Sequence, residues 1–181
     1  MRITLADHDP RWAELFARQR DRLADILAPW LAAPVEHIGS TAVPGLRAKP
    51  VVDLLAPVAP QATSPAAREP IVRALSSDGW LYWPDDPRGA TRLWFLRPEP
   101  DLRTHHLHVV EHNHPRTRAL LTFRDALRAD PALAAAYQRL KERLAVEHPA
   151  NRNAYTNGKA EFVAEVLRDA GVEIVLEDLP E

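Results

Sequence analysis

The side chains able to do chemistry fall into three clusters along the 181 residues. The first is His37-Ile38-Gly39-Ser40-Thr41, followed beyond Lys49-Pro50 by Val51-Val52-Asp53-Leu54-Leu55. Glycine removes the side chain that would hold a phosphate away from backbone N–H groups, serine adds a hydroxyl, and aspartate can hold Mg2+ against phosphate oxygens. Those are parts for phosphoryl chemistry. A tight turn beside a hydrogen-bonded aspartate uses the same residues, and Gly-Ser followed by Asp does not by itself separate the two.

The second cluster runs from Arg103 to His114 and holds five of the eight histidines. On a strand, His106 and His108 share one face while His105, Leu107 and Val109 share the other. A His-x-His pair beside a carboxylate is one way to assemble a site for zinc or another transition metal. Solvated or hydrogen-bonded histidines near a strand edge are the competing reading. The third cluster is Arg152, Tyr155 and Lys159, spaced to stand on one helical face, where guanidinium, phenol and ammonium together can grip a triphosphate. An amphipathic helix with Phe162, Val163, Val166 and Leu167 packed inward explains the same spacing. Trp80, Trp83 and Trp94 read as core, and Asp85-Asp86, flanked by prolines and Gly89, read as a hairpin or surface loop outside the site.

The elements that must position these groups follow from periodicity. Asp9-Pro10 opens a helix reaching about Leu27, with Asp9 as its cap. Residues 35–39 form a short strand delivering Gly39-Ser40. Residues 51–55 form a strand apolar on both faces apart from Asp53. A loop rich in Pro, Ala and Ser covers 57–70, a helix 71–78, and strands 80–83, 92–97 and 105–111 extend the same sheet. Helices at 117–128, 131–147 and 153–170 end the chain, with a last strand or extended tail at 172–176. The expectation is one domain over residues 1–181, of α+β class, with a mixed sheet of about four or five strands.

Composition narrows the partners. Hydrophobic residues make up 46 %, charged residues 27 %, and the net charge is −2, so there is no cationic excess for a polyanion and no nucleic acid is expected. The chain has no cysteine, which removes disulfides, thiolate metal sites and cysteine nucleophiles. No apolar run approaches the roughly 18 residues of a membrane span, so no membrane partner is expected and the location expected is cytoplasmic. Oligomeric state, base preference and acceptor are not written in the sequence.

The string from His37 to Leu46, with Pro44-Gly45-Leu46 and then Lys49-Pro50, resembles the GrpB family and, through it, the nucleotidyltransferase-like superfamily. Tyr137, Leu140 and Lys141, then Tyr155, Lys159 and Phe162, carry the resemblance over nearly the whole chain. It implies a nucleotidyltransferase-like mixed β-sheet flanked by helices, with a C-terminal helical group. It also implies Mg2+-dependent transfer of a nucleotidyl group from a nucleoside triphosphate to a small acceptor. Asp53 would hold the metal, Gly39, Ser40 and Thr41 would cradle phosphate, and Lys49 would neutralise charge. Arg152, Tyr155 and Lys159 would complete the nucleotide site, with His108 as a third active-site position beside Asp53. The superfamily usually carries Asp-x-Asp on the second strand, whereas this chain has Leu55 there. That departure keeps open a non-catalytic binding or accessory module of the same fold. A further alternative is a transition-metal hydrolase in which Asp53, His106 and His108 hold Zn2+ or Mn2+.

Overall fold

The structure, a computed structural model, describes residues 3–99 and 101–172. Five strands form one mixed sheet: β1 (Glu36–Ile38), β2 (Val52–Val58), β3 (Leu81–Tyr82), β4 (Leu93–Pro98) and β5 (Arg103–Glu111). Their order is β1-β2-β5-β4-β3, with β2 and β5 parallel and every other pair antiparallel. The class is α+β, as expected.

Strand β2 lies inside the sheet, and its composition reflects burial on both faces. Val52, Leu54, Ala56 and Val58 join Leu93, Phe95, Leu107 and Val109 on one face, covered by α1 (Arg11–Ile26) and α2 (Glu69–Ser77). On the opposite face Leu55 packs with Ile38, Val110 and Leu120. Asp53 is the polar exception on that face. The strand continues through Ala56 into Pro57-Val58, the first two residues of the stretch expected to be loop. The Pro57 carbonyl still accepts the Ala32 N–H at 2.9 Å.

Helix α1 begins on Pro10 in helical conformation. Asp9 caps it as expected: its carboxylate takes the Arg11 N–H, two residues on, at 2.9 Å and clamps the Arg11 guanidinium. The C-terminal helices are α3 (Pro115–Ala129), α4 (Pro131–Glu147), α5 (Arg152–Asn157) and α6 (Ala160–Asp169). Asp130 caps α4 by accepting N–H bonds from Ala132 and Leu133 at 2.8 and 3.1 Å. The single helix expected over 153–170 is divided at Gly158. The α4 side chain Leu144 packs so closely there that a Cβ on Gly158 would stand 2.5 Å from it. These helices enclose a second core of Val43, Leu46, Phe123, Tyr137, Val163 and Leu167. The tail expected at 172–176 lies outside the described residues beyond Val172. Among the described residues no helix is long and apolar enough to cross a membrane.

Candidate functional site

The face of the sheet turned toward the C-terminal helices carries the polar residues. Pairing sets Asp53 between Ile38 on one side and His106 on the other, with His108 opposite Leu55. The period of two along β5 therefore puts His106 and His108 on the Asp53 face, as expected, and sends His105 to the other, where it meets Trp80 edge-on at 6.4 Å. His112 lies at the exposed end of β5 and His114 caps α3, accepting the Arg116 N–H at 3.1 Å. The five histidines thus do not form one group.

Strand β1 ends in a turn built for the approach of Asp53. Gly39 has φ 70° and ψ −173°, a region closed to side-chain-bearing residues, and a Cβ there would lie 2.6 Å from Asp53 Oδ2. Glycine is required twice, by its own backbone and by the neighbouring carboxylate. Gly39→Ala is expected to destabilise the protein by about 2–4 kcal/mol and to displace the aspartate; an unfolding midpoint unchanged in urea would contradict this geometry.

The helical layer staples the same turn. Arg124 of α3 donates to Glu36 at 2.7 Å and to the His37 carbonyl at 3.0 Å, and Arg128 donates to the Ala42 carbonyl at 2.9 Å. His37 shares a 3.0 Å hydrogen bond with the Thr41 hydroxyl and stacks on Phe16. From α4, Lys141 donates to Ser40 Oγ at 3.0 Å and also to the Arg47 carbonyl.

Between turn, strands and helices lies an inner cavity of about 50 Å3. Ser40, Thr41, Lys49, Asp53, His106, Arg152, Tyr155 and Lys159 all border it, and Lys141 joins them. Gly39 and His108 border a smaller adjoining space of about 30 Å3 that also touches Ser40 and Asp53. All ten residues singled out from the sequence therefore converge. The Lys49 and Lys159 ammonium groups lie 5.2 and 5.0 Å from the centroid of the Tyr155 ring, which is only 1 % exposed. Burial pushes the Tyr155 phenol up to about 12, so it is neutral at physiological pH. Burial also pushes Lys141 down to about 7, helped by the cations Lys49 and Arg47 and opposed by Glu142.

Hydrogen bonding assigns the histidine protons. Arg92 donates to His108 Nδ1 at 2.9 Å, and since guanidinium has no acceptor, the neutral ring carries its proton on Nε2, 3.7 Å from Asp53 Oδ1. Arg92 is itself held by Asp86 through bonds of 2.6 and 3.0 Å, with both side chains buried. His106 Nδ1 lies 3.0 Å from Asp53 Oδ1; the carboxylate only accepts, so Nδ1 donates. That leaves His106 Nε2 buried and without a hydrogen-bond partner among the described residues, on a ring that borders the inner cavity. Burial alone would raise Asp53, but the imidazoles of His106 and His108 outweigh it and hold the carboxyl well below its usual range. His37, His105 and His108 are each pushed down to about 4, mainly by burial. For His108, Arg92 and Arg116 add to the effect and Asp53 opposes it.

The sign of the pH dependence follows. Between about 6.5 and 4 the unfolded chain takes up protons that these three rings refuse in the native state, so stability falls as pH drops through that window. The expected loss is about 1–3 kcal/mol per ring, read as a falling melting temperature from pH 6.5 to 4. A flat profile would show that the rings protonate freely in the folded state.

The donor set does not suit the expected metals. Mg2+ favours several oxygen ligands, with near-octahedral geometry. Among the described residues Asp53 is the one carboxylate lining the cavity, one of its oxygens is taken by His106, and Leu55 sits in an apolar cluster where a second acid would stand. For Zn2+ or Mn2+, His108 has no lone pair to offer, since Nδ1 accepts from Arg92 and Nε2 bears the proton. Among the described residues no group of three or more His, Cys, Asp or Glu is gathered for a metal ion.

Sequence reasoning missed two features of the site. Lys141 is 2 % exposed and stands on the buried stripe of α4 with Tyr137 and Leu144, and a lysine on an apolar stripe was a legible signal. Asp86, set aside with Asp85 as a loop residue, instead anchors Arg92 and through it His108. Its flanking prolines concealed it.

The model of the GrpB family, described as GrpB protein, matches residues 2–169. A UPF0157 protein of Pseudomonas aeruginosa, PA4798, is 39 % identical over 174 residues, covering 92 % of this chain and 66 % of its own length. The UPF0157 protein YqkA of Bacillus subtilis is 33 % identical, covering 90 % of this chain and 45 % of its own length. The chain therefore spans just under two thirds of the first and less than half of the second. The crystal structure of conserved protein GrpB from Enterococcus faecalis superposes with a TM-score of 0.79 at 30 % identity, covering 92 % of this chain and 96 % of that one. With the family model spanning nearly the whole chain and a solved GrpB structure sharing its fold, this protein belongs to the GrpB family.

Proposed function

We propose that this GrpB-family protein is a nucleotidyltransferase-like enzyme that binds a nucleoside triphosphate and passes its nucleotidyl group to a small acceptor. One observation carries the reading. Four basic side chains, Lys49, Lys141, Arg152 and Lys159, meet the Ser40 and Thr41 hydroxyls around Asp53, the one carboxylate of the lining among the described residues, in a cavity suited to phosphoryl groups rather than to a whole nucleotide. Lys141 and Lys159 are almost wholly buried. Burying ammonium groups is costly, and a phosphate chain among them offsets that cost.

The chemistry asked of the protein is positioning and charge stabilisation. An acceptor O–H attacks the α-phosphorus, its oxygen forms the new P–O bond, and the bond to pyrophosphate breaks. The acceptor proton goes to His106 Nε2, the nitrogen without a hydrogen-bond partner among the described residues on a ring that borders the cavity, and Asp53 holds the resulting imidazolium. The lysines neutralise the charge that builds on the departing pyrophosphate. Magnesium enters as the counter-ion of the triphosphate, part of the substrate, and no step is assigned to an ion bound by the protein alone.

A second reading has its own observation. Leu55, fully buried in an apolar cluster, replaces the second acid of the usual Asp-x-Asp, which favours a binding or accessory module of the same fold. Thermal melting with each of ATP, GTP, CTP and UTP plus Mg2+ tests the shared premise. At a hundred times Kd a ligand adds about 2.7 kcal/mol, a readily measured rise. No rise with any of the four removes nucleotide binding and the transfer reaction with it. A rise without pyrophosphate release across a panel of small alcohols and amines selects the binding module.

A further inference from the structure

Lys141 does more than tie a helix to a turn. Its side-chain nitrogen lies 3.0 Å from Ser40 Oγ and also hydrogen-bonds the Arg47 carbonyl, so a second partner fixes Nζ while it addresses the hydroxyl. A hydroxyl within hydrogen-bond reach of a basic side chain that a third group orients is the arrangement of an activated nucleophile. Lys141 is buried and Ser40 half-buried, and both border the inner cavity.

The protonation states suit the pair. Burial is the main cause that pushes Lys141 down to about 7, opposed by Glu142 and helped by Lys49 and Arg47, so near neutrality much of this side chain is an amine with a lone pair. The Tyr137 phenol, one turn back on α4, interacts with the same hydroxyl, and burial holds it well above its usual range, so it keeps its proton. With Tyr137 donating to Oγ and Lys141 giving an N–H to the Arg47 carbonyl, the Ser40 proton is left for Nζ. Asp53, His106, Arg152 and Lys159 complete the charged and titratable groups around the same cavity.

We propose that Ser40 is a covalent acceptor, a nucleophile with Lys141 as its base, on which the protein takes up a nucleotidyl group when no small acceptor is bound. The identity of the group rests on the transfer reading; the Ser40–Lys141 pair does not. Lys141 Nζ takes the Ser40 Oγ proton, Oγ forms a bond to the α-phosphorus, and the bond to pyrophosphate breaks, leaving a phosphodiester on Ser40. The proton makes Lys141 an ammonium beside the departing charge, the form in which it holds phosphate. His106 remains the base for the small acceptor.

Two probes separate the pair from its cargo. Methanesulfonyl fluoride is small and uncharged and needs no nucleotide. Peptide mass mapping is expected to find a sulfonate ester on Ser40, with an S–O bond formed, fluoride lost and the proton passed to Lys141. The labelling rate should rise as pH climbs through about 7 and then level off, because the amine form of Lys141 is filled above that point. At least one of ATP, GTP, CTP and UTP, given with Mg2+ above that midpoint and without acceptor, is expected to add a single nucleotidyl group at Ser40. Lys141→Arg keeps a cation but offers no base, and should slow both labels at least tenfold. Ser40→Ala should abolish both. Should these variants fail to fold, the pH profile of the unaltered protein decides: a flat profile, or a rise only in the ordinary lysine range, overturns the proposal. Sulfonylation of Lys141, Thr41 or Tyr137 in place of Ser40 overturns it too. If a nucleotide raises the melting temperature yet leaves Ser40 unmarked, the proposal falls and the transfer reading stands. If no nucleotide binds while the sulfonyl group maps to Ser40 with the expected profile, the transfer reading falls and the nucleophile stands.

Discussion

Asp86→Ala is expected to destabilise the protein by about 3–5 kcal/mol, the usual cost of removing one partner from a buried ion pair. Arg92 is 2 % exposed, gives two hydrogen bonds to Asp86 and a third to His108, and would lose this buried counter-ion. In a chain of this size each kcal/mol moves the melting temperature by roughly 2–4 °C, so a fall of about 10 °C is the expected reading. The effect reaches the site, because Arg92 fixes the His108 proton on Nε2. Replacing both partners, as in Asp86→Leu with Arg92→Met, is expected to recover much of the loss, since no charge is then buried alone. A single variant within about 1 kcal/mol of the parent would mean that Arg92 finds water or another acceptor.

Asp53→Asn is expected to separate catalysis from binding. The amide Oδ1 can still accept the His106 Nδ1–H but carries no charge to stabilise an imidazolium, so transfer should fall by about 10²–10⁴-fold, the usual contribution of a positioned acid–base group. Nucleotide affinity should be retained or improved, because a negative charge has left a cavity that takes in phosphate. Initial rates of pyrophosphate release, set beside calorimetric Kd values, make the comparison. Equal losses in both would make Asp53 a binding residue and return Oδ1 to a purely structural role.

Much of the frame was legible from local pattern. Asp53 stood out as the one acid in an apolar strand, and the parity of β5 put His106 and His108 on its face. Gly39 was legible as a turn residue, although the 2.6 Å approach of Asp53 that makes it indispensable is tertiary. What stayed hidden depends on long-range packing. The break in the last helix needs Leu144 of α4 against Gly158, and neither residue announces the other in the sequence. The extension of β2 through Pro57 needs Ala32 as a donor from a separate segment. The His108 tautomer is set by Arg92, itself held by Asp86 of a proline-flanked loop, and the His106 tautomer by Asp53 from the neighbouring strand. The separation of five clustered histidines into different surroundings is a matter of strand parity and of where β5 ends, and proximity in sequence overstated their proximity in space.

The central physical claim is that the buried lysines around Ser40 and Tyr155 exist to hold a phosphate chain, with the Asp53–His106 pair facing the phosphorus that reacts. A crystal structure with a non-hydrolysable nucleoside triphosphate and Mg2+ tests it most directly. Phosphate oxygens are expected within hydrogen-bonding distance of Lys49, Lys141 and Lys159, with His106 Nε2 turned toward the α-phosphate. A nucleotide seated elsewhere on the molecule, or an inner cavity that stays filled by water at saturating ligand, would contradict it.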